Sequence, residues 1–191
     1  MVVQTTYSGF KPCQTLYQVA RAVNSSLDVM QVLDIIVGSV VQALGVKACS
    51  LRLLSPDGRR LFVGAVHGLS PNYRAKGPVD ITNSEIDRLA LTGNRLVYVG
   101  DVSADGRFQY PEQAREEGIA SVLVTPLRVQ DRPIGVLRVY TGETREFTTD
   151  ETDLVEAIAS LSALAIENAR LYEWLDRNYQ AALDFSERTF D

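Results

Sequence analysis

IASVLVTPLRVQDRPIGVLRVY, residues 119–140, consists of two apolar, β-branched runs on either side of Gln130-Asp131-Arg132-Pro133. A short polar break of that kind reverses the chain, so the runs read as neighbouring antiparallel strands. They are apolar on adjacent as well as alternate positions, the pattern of a sheet centre covered on both faces. Ser121 and Thr125 alternate with Leu123 and Leu127, and Arg138 interrupts the second run. If those polar side chains face loops rather than helices, the hairpin also floors a pocket.

Working outward, Val46–Leu54 and Leu61–Val66 read as a second hairpin, joined by Ser55-Pro56-Asp57-Gly58 with type I turn chemistry. Leu96–Val99 supplies a further short strand. Helical spacing appears at Gln14–Val23 and again along Met30, Leu33, Val37, Val40, Val41 and Leu44, where Gly45 stands as a left-handed cap. Thr82-Asn83-Ser84-Glu85 has the form of a capping box for a short helix ending by Gly93, and Pro111 opens another closed by Gly118. Gly68–Asp80 and Asp101–Tyr110 read as loops. From a second capping box at Thr148–Glu151, a long helix runs to about Leu183. Leu154, Ile158, Leu161, Ala165, Asn168, Tyr172, Leu175 and Tyr179 step along it in fours and threes, a seam suited to a homodimer.

This order predicts an α+β domain: a central antiparallel sheet, N- and C-terminal helices together on one face, and loops with short helices on the other. Loop-rich cover over a sheet suits a small-molecule cavity. The expected organisation is a flexible arm over 1–13, a domain over 14–171 and a helical extension over 172–191.

Composition narrows the function. The 191 residues carry a net charge of −5 with no basic stripe, which argues against nucleic acid. The two cysteines, Cys13 and Cys49, lack metal or redox spacing and suit reduced thiols. No signal peptide or membrane-spanning run is visible, so the cytoplasm is expected. His67 is the only histidine, so neither a Ser-His-Asp triad nor a zinc site can be assembled. No catalytic and no metal-binding residues are assigned.

The sequence resembles the GAF domain family, small-molecule-sensing regulatory modules with a profilin-like fold, over roughly Leu16–Leu171. The resemblance rests on ACSLRLL (48–54), GAVHGLS (64–70), DVSADGRF (101–108), SVLVTPL (121–127), IGVLRVY (134–140) and FTTDE (147–151). It implies a non-catalytic domain in signal transduction that binds a small ligand over the sheet and transmits through terminal dimer helices to a separate output protein. It places Ser50, Val66, His67, Asp101, Arg107 and Phe108 at the ligand, with Ser121 added from the hairpin. Cyclic-nucleotide-binding relatives carry Asn-Lys where this chain has Thr141-Gly142, which speaks against a cyclic nucleotide. A single histidine and the lack of wider phytochrome signatures speak against haem and bilin, leaving the ligand unknown. The competing readings are a free-methionine-sulfoxide reductase, for which Cys49 lacks a cysteine cluster, and a dimerisation module without ligand.

Overall fold

The structure, a computed structural model, describes residues 10–25 and 28–189, the side chains of 25 and 182–189 excepted. Two N-terminal helices, α1 (Pro12–Ser25) and α2 (Val29–Leu44), precede the hairpin β1 (Ala48–Leu54) and β2 (Arg60–His67). Then come α3 (Pro71–Arg74), β3 (Val79–Asp80), α4 (Glu85–Gly93), β4 (Val97–Val99) and α5 (Pro111–Glu116). The hairpin β5 (Ser121–Val129) and β6 (Arg132–Thr141) leads into α6 (Thr149–Thr189).

The six-stranded sheet has the order β3-β2-β1-β6-β5-β4, antiparallel throughout. The hairpin that decides the fold therefore lies inside the sheet, with β6 at its centre beside β1. The polar break contracts to Gln130-Asp131, with Gln130 at φ 55, and Pro133 joins β6 opposite Arg128 next to a bulge. Gly135 is required where β6 meets β1: a Cβ there would run into the Arg52 carbonyl.

Two separate cores lie on the two faces. Alternation along β1 sends Cys49 and Leu51 to one, where they pack with Leu33, Ile36 and Val40 of α2 and Val155, Ile158 and Ala163 of α6. On the other face Ala48, Val122, Val124, Val136 and Tyr140, with Val79 of β3, pack with Tyr73, Ile86 and Ala90 of the cover. Terminal helices thus cover one face and short helices with loops the other, the predicted α+β arrangement.

Local differences have physical causes. Cys13, assigned to a loose arm, stands exposed in α1, which starts at Pro12; the rest of the arm, residues 1–9, lies outside the described residues. Met30 lies on the exposed side of α2, whose cap is Asp28 accepting from the Met30 and Gln31 amides. The 68–80 stretch is not wholly loop: Ser70 caps α3 by accepting from the Tyr73 amide at 3.1 Å, and Val79 pairs with Leu61. The first capping box does not form. Ser84 is the N-cap of α4 but makes no capping bond, because its hydroxyl donates to Asp87; Thr82 bonds Asp80 instead. The second does form, with the Thr148 amide donating to Glu151 at 2.9 Å and the Glu151 amide to Thr148 Oγ1 at 3.3 Å.

Candidate functional site

Ser50 and Arg52 on β1, and Arg138 and Tyr140 on β6, share the sheet face beneath α3 and α4. Ser50 pairs with Arg138 across the strands, and all four side chains are buried. An arginine in the middle of an apolar strand needs a partner, since burying an unpaired charge costs several kcal/mol. Arg138 has one. Its Nε donates to Asp87 Oδ1 at 2.9 Å, and its Nη2 pairs with Asp87 Oδ2. Asp87 belongs to α4 and is 0% exposed, so this bidentate pair, with Ser84 donating to the same carboxylate, fastens the cover to the sheet.

Arg52 has no such partner. It is 1% exposed, forms no ion pair among the described residues, and its Nε and Nη1 are buried without a hydrogen-bond acceptor. The Tyr73 phenol, on α3, is likewise buried without a partner. The Tyr73 ring stands edge-on to Tyr140 at 6.3 Å between centroids, and Tyr140 Oη lies 3.0 Å from Ser50 Oγ. Lys76 closes the group, its Nζ 3.3 Å from the Tyr73 ring centroid and 5.0 Å from that of Tyr110. Burial, reinforced by the charges of Arg138 and Arg52, pushes the Lys76 ammonium down to about 6. Burial also raises the Tyr73 phenol, so it remains a protonated donor. Glu117 reaches the rim, where it accepts from the Ser70 amide at 2.9 Å and from its hydroxyl.

The residues expected at the ligand are distributed unevenly. Ser50 lies within this group, Val66 stands opposite it on β2, and Phe108 packs against the same core. Arg107 is held by its neighbour, with Nε 2.8 Å from Asp105 Oδ1. Asp101 is exposed and accepts from the Ser103 amide at 2.9 Å, while the Ser103 hydroxyl holds its carboxyl below the usual range. It edges a separate groove of about 340 Å³ between the 101–103 loop, α5 and Gly142. His67 points to the opposite face, where its Nδ1 would lie 3.7 Å from a Cβ on Gly38 of α2. Ser121 and Thr125 also lie on that helix-covered face with Leu123 and Leu127. Ser121 Oγ donates to Gly100 O at 2.7 Å and accepts from the Arg145 amide at 3.3 Å, tying loops together there. The hairpin's contribution to the loop-covered face is therefore Arg138 and Tyr140.

Arg52, Asp87, Tyr73 and Lys76 escaped the sequence reading. Arg52 had a signal: it alternates with Ser50 inside ACSLRLL, out of phase with Cys49, Leu51 and Leu53.

A model of the family described as GAF domain matches residues 28–166. The chain belongs to the GAF domain family. Among solved structures, it is similar to the GAF domain of a Coxiella burnetii phosphoenolpyruvate-protein phosphotransferase, with a TM-score of 0.76 at 21% identity over 87% of this chain and 98% of that one. It also resembles free methionine-R-sulfoxide reductase from Neisseria meningitidis, TM-score 0.71 at 18% identity over 84% of this chain and 91% of that one. At such identities the likeness concerns the fold alone. A curated relative, the methyl sulfide methyltransferase-associated sensor of Methanosarcina acetivorans, is 28% identical over 129 residues, 64% of this chain and 13% of its own length. The chain thus spans about an eighth of that relative.

Within this GAF domain neither thiol reaches the buried polar group. Cys49 faces the α2–α6 core at 0% exposure, and burial pushes its thiol up, the reverse of what a nucleophile needs. Cys13 is exposed on α1. Among the described residues no His, Cys, Asp and Glu cluster could hold a metal ion, and no helix is long and apolar enough to cross a membrane.

Proposed function

We propose that this GAF domain is a non-catalytic regulatory sensor: a small molecule binds over the β1–β6 face, and a homodimer of terminal helices carries the response to a signalling partner in the cytoplasm. The observation that carries the reading is the buried polar group around Arg52, whose hydrogen-bonding capacity exceeds what the surrounding chain satisfies. Two further features support it. A curated relative is named a sensor. On α6, Leu171, Trp174, Leu175 and Tyr179 are all more than half exposed, and apolar side chains in such a row favour a second copy of the helix.

The coupling runs through shared strands. Ser50, Arg52 and Arg138 on one face alternate with Leu51, Leu137 and Val139 on the other, which pack with α2 and α6. A ligand that draws α3 and α4 toward the sheet shifts that packing, provided it binds the two helix arrangements with different affinity. Native mass spectrometry of freshly purified full chain tests both halves. The expected spectrum shows a dimer retaining a small molecule of fixed mass. A monomer without added mass, and no thermal shift across a broad metabolite panel, would sink the reading.

A further inference from the structure

We propose that the loop-covered face binds a compact monoanion, a carboxylate or an oxyanion of similar size, seated on Arg52 with Tyr73 and Lys76 closing over it. The assignment rests on the sensor reading and supplies its ligand class.

The argument is one of charge and of donor count. Two guanidinium side chains, Arg52 and Arg138, meet in this layer and act on Lys76, which they and burial hold largely neutral at pH 7. Two carboxylates, Asp87 and Glu117, act on Lys76 from α4 and from the residue after α5. Asp87 is committed to Arg138 and Ser84, and Glu117 accepts from Ser70. Among the described residues no carboxylate forms an ion pair with Arg52. The unsatisfied atoms nearby are Arg52 Nε, Arg52 Nη1 and Tyr73 Oη. The guanidinium nitrogens can only donate, and the phenol readily donates. The group that completes them is an acceptor carrying negative charge. A neutral amide or sugar would satisfy the hydrogen bonds and leave the guanidinium charge uncompensated.

Size follows from burial. Arg52 is 1% and Tyr73 2% exposed, an enclosure that suits a ligand of a few heavy atoms rather than a nucleotide. Lys76 is half-buried at the rim, over Tyr73 and Tyr110, so it marks the entrance. The same geometry makes binding proton-linked. Tyr73, Tyr110, Arg52, Arg138, Asp87 and Glu117 face Lys76, and an arriving negative charge restores its ammonium form.

The test uses the full chain with acetate, pyruvate and nitrate as sodium salts, acetamide as the neutral counterpart, and sodium chloride at equal ionic strength as reference. The expected result is a saturable rise in Tm of about 5 °C or more with at least one anion and none with acetamide. Calorimetry at pH 7.5 in two cationic buffers of different ionisation enthalpy should show uptake of about one proton per anion. Arg52→Met should fold, melt higher than the parent without ligand, and lose the anion response. Lys76→Met should keep a weakened response and lose the proton uptake. An undiminished anion response in Arg52→Met overturns the assignment. A neutral molecule retained in the purified protein, with no response to the anions, overturns the monoanion and leaves the sensor reading standing. No response to anything and no retained mass overturns both.

Discussion

At the scale of single residues, the Arg138–Asp87 pair and Lys76 have opposite effects on the ligand-free domain. Removing one member of the pair strands the other charge at a site where Arg138 is 3% and Asp87 0% exposed. Asp87→Leu or Arg138→Met alone should cost about 3–5 kcal/mol in urea denaturation. The double variant should recover much of that, because no charge is then left unpaired. A double variant as unstable as the sum of the singles would show that the pair contributes through something other than charge. Lys76 carries a burial cost instead. Its pKa falls from an ordinary 10.5 to about 6 on folding, so between those values the unfolded chain holds a proton that the folded chain lacks. Stability therefore rises with pH across that window, and below pH 6 the folded state bears the whole cost. Lys76→Met should raise Tm at pH 7 and converge with the parent above pH 10.5; parallel stability curves from pH 6 to 10.5 would contradict this.

At the scale of elements, α6 divides in two. Leu154, Val155, Ile158, Ala163 and Ile166 are buried against the sheet and α2, whereas every residue from Arg170 to Ala181 is exposed. The helix has 41 residues, about 60 Å of length, more than one small sheet can cover. Replacing Leu171 and Leu175 with Glu should convert a dimer to a monomer in light scattering while leaving the core transition within about 0.5 kcal/mol, since both side chains lie outside the domain. A dimer that survives both substitutions removes this stretch from the contact. The elements were largely legible beforehand because their signals are local: the Gly58 amide closes the predicted turn onto Ser55 O at 2.9 Å, and Gly45 takes φ 59 at the predicted cap. The failures came where a tertiary partner competed. Asp87, which takes the Ser84 hydroxyl, is itself held by Arg138, and Ser121 turned toward Gly100 and Arg145. The site was less legible than the fold. Nothing local in Gly68–Asp80 marks Tyr73 and Lys76 as neighbours of β1 and β6; only the chain's return over the sheet brings them there.

At the scale of the whole molecule, the terminal helices and the loop-and-helix cover never share a core: one packs on Cys49, Leu51, Leu137 and Val139, the other on Ala48, Val136 and Tyr140. A two-sided sheet of this kind sets how such a protein can diversify. Substitution at Ser50 or Arg52, or at Arg138 together with Asp87, alters the chemistry of one side while the alternate positions of the same strands keep the helices in place. On the proposed reading, specificity and assembly are inherited on interleaved residues of β1 and β6, so that a lineage could exchange the molecule it senses without rebuilding the helical contact.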